Sequence, residues 1–166
     1  MGSLDDTAYG PLPRPPLVLL SGQSLVKRIT RQFGGEAGYG ANCRPFADLT
    51  DSQQLALLSR FSLEAQELPA LGVAPPAGPW LLVTTVRISY DDGRHRWVQP
   101  AANLGHVSRA TGQNASRKQD WSVLELDFHN GVRERIQVEP GKPYFGLWNA
   151  LLLLMRINRP GPVVGG

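Results

Sequence analysis

Cysteine is almost absent from this chain of 166 residues. With Cys43 alone, no intrachain disulfide or multi-cysteine metal site can form, and a reducing, cytoplasmic setting is the natural expectation. Long apolar runs are missing as well. The longest, residues 151–155, falls far short of the ~20 residues a helix needs to cross a bilayer, so no transmembrane segment is expected. The opening MGSLDDTAYGPLPRPP places acids and prolines where a secretion signal needs basic and then apolar residues, so no such signal is expected. Lysine is scarce too. Lys27, Lys118 and Lys142 stand against an excess of arginine, and the 17 bases exceed the 14 acids by only +3. That charge is too mild for a dedicated nucleic-acid binder.

The motifs that carry common chemistries are also lacking. Neither a G-x-x-x-x-G-K-[ST] phosphate loop nor a G-x-G-x-x-G turn occurs. GQSLV has Val26 where the nucleophile elbow around Ser24 would need its second glycine. His95, His106 and His129 are widely spaced, no pair has the i, i+4 ligand spacing, and Cys43 is distant in sequence. Glu125 and Asp127 share one face of a strand pattern, where an exposed sheet face is the simpler reading than a coupled acid pair. The expectation is a protein without catalytic residues, metal or cofactor.

What is present is building material, with 18 glycines and 14 prolines among patterned segments. Residues 1–16 form a Pro-rich leader, residues 17–157 a single domain, and residues 158–166 a Gly/Pro tail. Leu17 to Leu20 suit a short buried strand or packing segment. Ser24 is placed to cap a helix through Gln32, with Leu25, Ile29 and Phe33 along one face. Residues 34–46 are glycine-rich and predict a loop. Thr50 and Gln53 have capping-box spacing, so a helix is expected from 51 to 61, or on to 67, with Leu55, Leu58 and Phe61 facing inward. The prolines of PALGVAPPAGP end it. From residue 80 the period becomes two: WLLVTTVRISY predicts a strand, Asp92-Gly93 a turn, and RHRWVQP a return strand that Pro100 ends or places at an edge. NLGHVSRA predicts a further strand, and WSVLELDFHNGVRERIQV a second hairpin turning at Asn130-Gly131. Residues 144–157 predict a helix. Phe145, Trp148, Leu152 and Met155 line one side of it and Leu147, Leu151 and Leu154 the next, an apolar surface that calls for cover nearly all round.

A leading helix, LLVTTVRISYDDG with its Thr84-x-x-Arg87-Ile88-x-Tyr90 phrase, the hairpin LELDFHNGVRERIQV and the closing FGLWNALLLLMRI together resemble a bacterial PH-like or GRAM-like domain of the pleckstrin-homology superfold. The resemblance spans about residues 48–157. It implies an α+β fold, a PH-like antiparallel β-barrel or sandwich capped by a C-terminal helix and preceded by helical segments. The strands it requires before Thr84 would have to come from residues 17–33, or the barrel is abbreviated. It brings no catalytic residue with it. In domains of this kind hairpin loops at the open end hold anions, which implies an anion- or partner-binding patch here.

Between residues 87 and 118 six bases face only Asp91 and Asp92. Arg87, Arg94, Arg96, Arg109, Arg117 and Lys118, with Trp97 across the strand from Arg94 and Arg96, are therefore the candidate binding residues. Arginine forks match carboxylate and phosphate geometry, while charged edges also keep strands from pairing with other chains. The expected function is protein–protein interaction, of adaptor or immunity type. An anionic-lipid surface is the alternative partner, and a small His/Cys or His/carboxylate enzyme the least favoured reading.

Overall fold

Three helices and two antiparallel sheets make up the part of the chain that the computed structural model describes, residues 21–112 and 116–158. Helix α1 (Gly22–Phe33) turns Ile29 and Phe33 into the core, as its spacing predicts. Its cap is Ser21 rather than Ser24, because the Ser21 hydroxyl accepts the Ser24 N–H. The segment 17–20 expected as a strand lies outside the described residues.

Helix α2 (Asp51–Arg60) starts with the expected capping box: Gln53 N–H donates to Thr50 Oγ1 at 3.2 Å, and Thr50 N–H to Gln53 Oε1 at 3.0 Å. It stops at Arg60 and does not run to 67. Its inward residue is Leu57, followed by Phe61, whereas Leu55 is 68% exposed and Leu58 40%. The helix lies on a sheet through one narrow stripe. That stripe fits because Gly72 beneath it has no side chain; a Cβ there would meet Leu57 Cδ1 at 2.5 Å and Leu49 Cδ1 at 2.7 Å.

The first sheet is a meander of β1 (Cys43–Pro45), β2 (Pro69–Val73), β3 (Trp80–Thr84), β4 (Arg87–Asp91) and β5 (Arg96–Pro100). Three expectations are corrected here. Residues 34–46, read as a loop, contain β1, and residues 69–79, read only as the proline-rich end of a helix, contain β2. The run 80–90, read as one strand, folds back on itself with Val83 opposite Ile88. At that bend Thr84 Oγ1 accepts the N–H groups of Val86 (3.2 Å) and Arg87 (2.9 Å). Three strands, β1, β2 and β3, thus lead up to the bend at Thr84. Residues 22–33 contribute a helix instead.

The second sheet holds β6 (Leu104–Arg109), β7 (Val123–Phe128) and β8 (Arg133–Gln137). Strand β7 alternates as expected, with Leu124, Leu126 and Phe128 inward. Glu125 stands opposite Arg135 and Asp127 opposite Arg133 on the outer face. The turn is a three-residue loop rather than a bare Asn130-Gly131 pair. Gly131 N–H donates to Phe128 O, Phe128 N–H donates to Val132 O, and Gly131 takes φ +87° while Asn130 keeps a negative φ.

Between the sheets lies the main core. Leu81, Val83, Ile88, Tyr90 and Trp97 meet Leu124, Leu126, Phe128 and Ile136 there. The Trp97 and Phe128 rings sit edge to face at 5.7 Å, and Gln137 N–H donates to Tyr90 Oη at 3.2 Å. Helix α3 (Lys142–Asn158) closes this core with Tyr144, Leu147, Leu151 and Leu154, packing on β6 and against α1. A Cβ on Gly146 would meet Phe33 O at 2.6 Å, so α1 and α3 approach backbone to backbone. Cover nearly all round is not what α3 receives. The sheet, α1 and the short turns at Ala101–Asn103 and Glu36–Gly38 cover most of it, and Phe145, Trp148, Leu152 and Met155 on one side remain half-buried.

Candidate interaction surface

The half-buried side of α3 continues across to the loop before β7. Trp121, which follows a short turn at Lys118–Asp120, tilts against Phe145 with centroids 6.1 Å apart. Phe145 stacks on Trp148 at 6.3 Å with 13° between the ring planes. Together with Lys118, Asn149 and Leu152 these rings line a cleft of about 370 Å³.

Cations sit on the rings of this shelf. The Arg109 guanidinium, at the end of β6, lies 4.5 Å from the Trp121 ring centroid, and Lys118 Nζ lies 5.2 Å from that of Phe145. Such contacts contribute about 0.5–1 kcal/mol each at exposed sites. Arg117 Nε holds Asp120 Oδ2 at 3.0 Å. Among the described residues neither Arg109 nor Lys118 forms an ion pair. Trp121 Nε1 is shielded from solvent with no acceptor among them. Two of the candidate bases, Arg109 and Lys118, thus lie on one aromatic surface.

The remaining candidates belong to the five-stranded sheet. Arg87 is engaged: its Nε donates to Glu67 Oε2 at 3.0 Å, and its terminal nitrogen bonds Glu67 Oε1 and, at 2.8 Å, Ser62 O. Burial would raise the Glu67 carboxyl, but hydrogen bonds from Arg87, Thr84 and the Glu64 N–H outweigh it and hold the group below the usual carboxylate range. Arg96 leans over the Phe61 ring at 5.2 Å, with Asp91 Oδ2 3.7 Å away. Trp97 is a core residue, 9% exposed and packed on Tyr90 and Phe128. Arg94 is exposed at the β4–β5 tip, where its N–H donates to Asp92 Oδ1. The basic run of the sequence is therefore divided between the β4–β5 hairpin region and the end of β6 with the connection to β7.

The groups weighed for catalysis are scattered. His95 meets Glu134 at 3.0 Å across the two sheets. Cys43 is buried, and desolvation, with the Glu139 charge beside it, pushes its thiol well above the usual range. The Glu139 carboxylate itself is held by the N–H groups of Ala41, Asn42 and Cys43. No trio of His, Cys, Asp or Glu among the described residues is arranged to hold a metal, and no helix among them is long and apolar enough to cross a membrane.

The shelf residues Trp121, Phe145, Trp148, Asn149 and Leu152 were not among the candidates that the sequence supplied. The spacing of Phe145, Trp148 and Leu152 was visible, but as a second apolar stripe expected to be buried. The usable signal was the width of the apolar surface of α3. No family model, curated protein or solved structure matches this chain.

Proposed function

We propose that the chain is a non-catalytic protein–protein interaction module, of adaptor or immunity type, on a PH-like sandwich closed by α3, and that it docks its partner on the aromatic shelf. Two antiparallel sheets followed by a closing helix have the element order that the resemblance implies. The carrying observation is the half-buried Phe145–Trp148 stack with Trp121 beside it, an aromatic surface bearing two cations on an otherwise covered helix. Aromatic residues and arginine are the side chains that most often anchor protein interfaces. The buried thiol of Cys43 and the engagement of His95 by Glu134 support a role without nucleophilic chemistry, and the single buried cysteine fits a bacterial cytoplasm.

The test is a quantitative affinity capture from the native host, repeated with the purified partner, using wild type, Trp148→Glu and the double variant Arg94→Ala/Arg96→Ala. The partner is expected to be lost with Trp148→Glu and kept with the arginine variant. The opposite pattern would move the interface to the β4–β5 hairpin.

A second reading, an anionic-lipid surface, draws on the same cations beside tryptophan, a pairing suited to a bilayer interface. Sedimentation with anionic vesicles that collapses in salt would favour it.

A further inference from the structure

We infer that the occupant of the shelf is an acidic protein segment that seats one apolar side chain between Trp121 and Trp148 and sets carboxylates on Lys118 and Arg109. This rests on the reading of the shelf as the docking surface, and names the chemistry of the partner.

The shape argues for a side chain. A cleft of about 370 Å³ with an aromatic and aliphatic floor is a concavity that an anchor residue fills and a flat bilayer surface spans without filling. Charge argues for acid. Lys118 and Arg109 rest over ring faces, which offer only a quadrupole, and among the described residues no carboxylate pairs with either. The nearby Asp120 is already held by Arg117 at 3.0 Å. An arriving carboxylate therefore finds two cations with unused donors, and desolvating them beside apolar rings strengthens the bond it makes. Asn149, on the cleft wall, presents an amide that donates and accepts, a match for the main chain of an incoming segment and not for acyl chains.

The experiment pans a random peptide phage library on the full chain, with counter-selection on Trp148→Glu after circular dichroism has shown that variant folded. Retained peptides are expected to place Asp or Glu beside a Leu, Phe or Trp. A synthetic retained peptide should shift the amide resonances of Lys118, Trp121, Trp148 and Asn149, bind Lys118→Glu about tenfold more weakly, and weaken as salt rises from about 50 to about 500 mM. Retained peptides that are basic or uncharged and indifferent to Lys118→Glu would overturn the acidic partner while leaving the shelf as the docking surface. Shifts centred elsewhere, or an empty selection, would overturn both. Sedimentation of wild type, but not Trp148→Glu, with vesicles of about 30% phosphatidylserine would replace the protein segment by a membrane.

Discussion

Glu67 shows what a single residue does here that no local pattern announces. It is 6% exposed, yet it accepts hydrogen bonds from the Arg87 guanidinium, the Thr84 hydroxyl and the Glu64 N–H. The Thr84-x-x-Arg87 phrase is thus a turn clamped from outside, with Thr84 capping the bend and Arg87 reaching back to a carboxylate 20 residues upstream. Both halves of the phrase were legible, but their common partner was not, because residues 62–68 carry no periodicity that would place them. Glu67→Gln leaves Arg87 partly buried without its counter-charge, and a loss of about 3 kcal/mol is expected in urea unfolding. The pH dependence has a definite sign. The folded-state pKa of Glu67 is depressed, so its contribution is complete above the ordinary carboxylate value of about 4.3 and is lost as pH falls through the folded value. Wild type should therefore lose stability faster than Glu67→Gln below about pH 4, the two converging in acid. Parallel curves would mean that folding does not depress the Glu67 pKa.

Among elements, the hairpins were the easiest to see and α2 the easiest to misplace. Alternation in β7 places Leu124, Leu126 and Phe128 inward whatever the rest of the molecule does. A helix of ten residues with leucines at 55, 57 and 58 offers more than one face, and the choice belongs to what lies beneath it. Gly72 decides in favour of Leu57, and Gly72 sits in a strand disguised by its prolines: Pro69 begins β2, and Pro75 and Pro76 follow its end at Val73. Leu57→Ala should therefore cost about 2–5 kcal/mol, since it empties a site with no solvent exposure. Leu55→Ala should stay within about 0.5 kcal/mol of wild type. Thr50→Ala, which removes one half of the capping box, belongs between them at about 1 kcal/mol. Equilibrium denaturation of the three variants ranks them, and equal losses from Leu55→Ala and Leu57→Ala would refute the observed face.

At the scale of the molecule, the five-stranded sheet is the partition between two cores. Leu81 and Val83 of β3 enter the main core, while Leu82 between them enters a smaller one with Phe46, Leu49, Leu57, Phe61 and Ala74 under α2. This is why WLLVT shows no alternation: a strand covered on both faces is apolar throughout, and the sequence alone does not reveal which neighbour covers which face. The order of helix, strands and closing helix was readable; the division of the sheet's two faces depends on contacts distant in sequence. The small core has fewer residues to lose, so α2 should open before the rest. Native-state hydrogen exchange is expected to give helical amides near Leu57 a lower opening free energy than those of β3 and β7. Gly146→Ala forces α1 and α3 apart, because the added carbon meets the Phe33 carbonyl. It should lower protection across β3 and β7 by about 1–3 kcal/mol and leave the local opening of α2 unchanged. Leu57→Ala should act on α2 first. Trp148→Glu, on the half-buried side of α3, should leave the local opening of α2 near wild type. A uniform response of all amides to all three variants would mean that the two cores melt as one unit and that the partition has no energetic meaning.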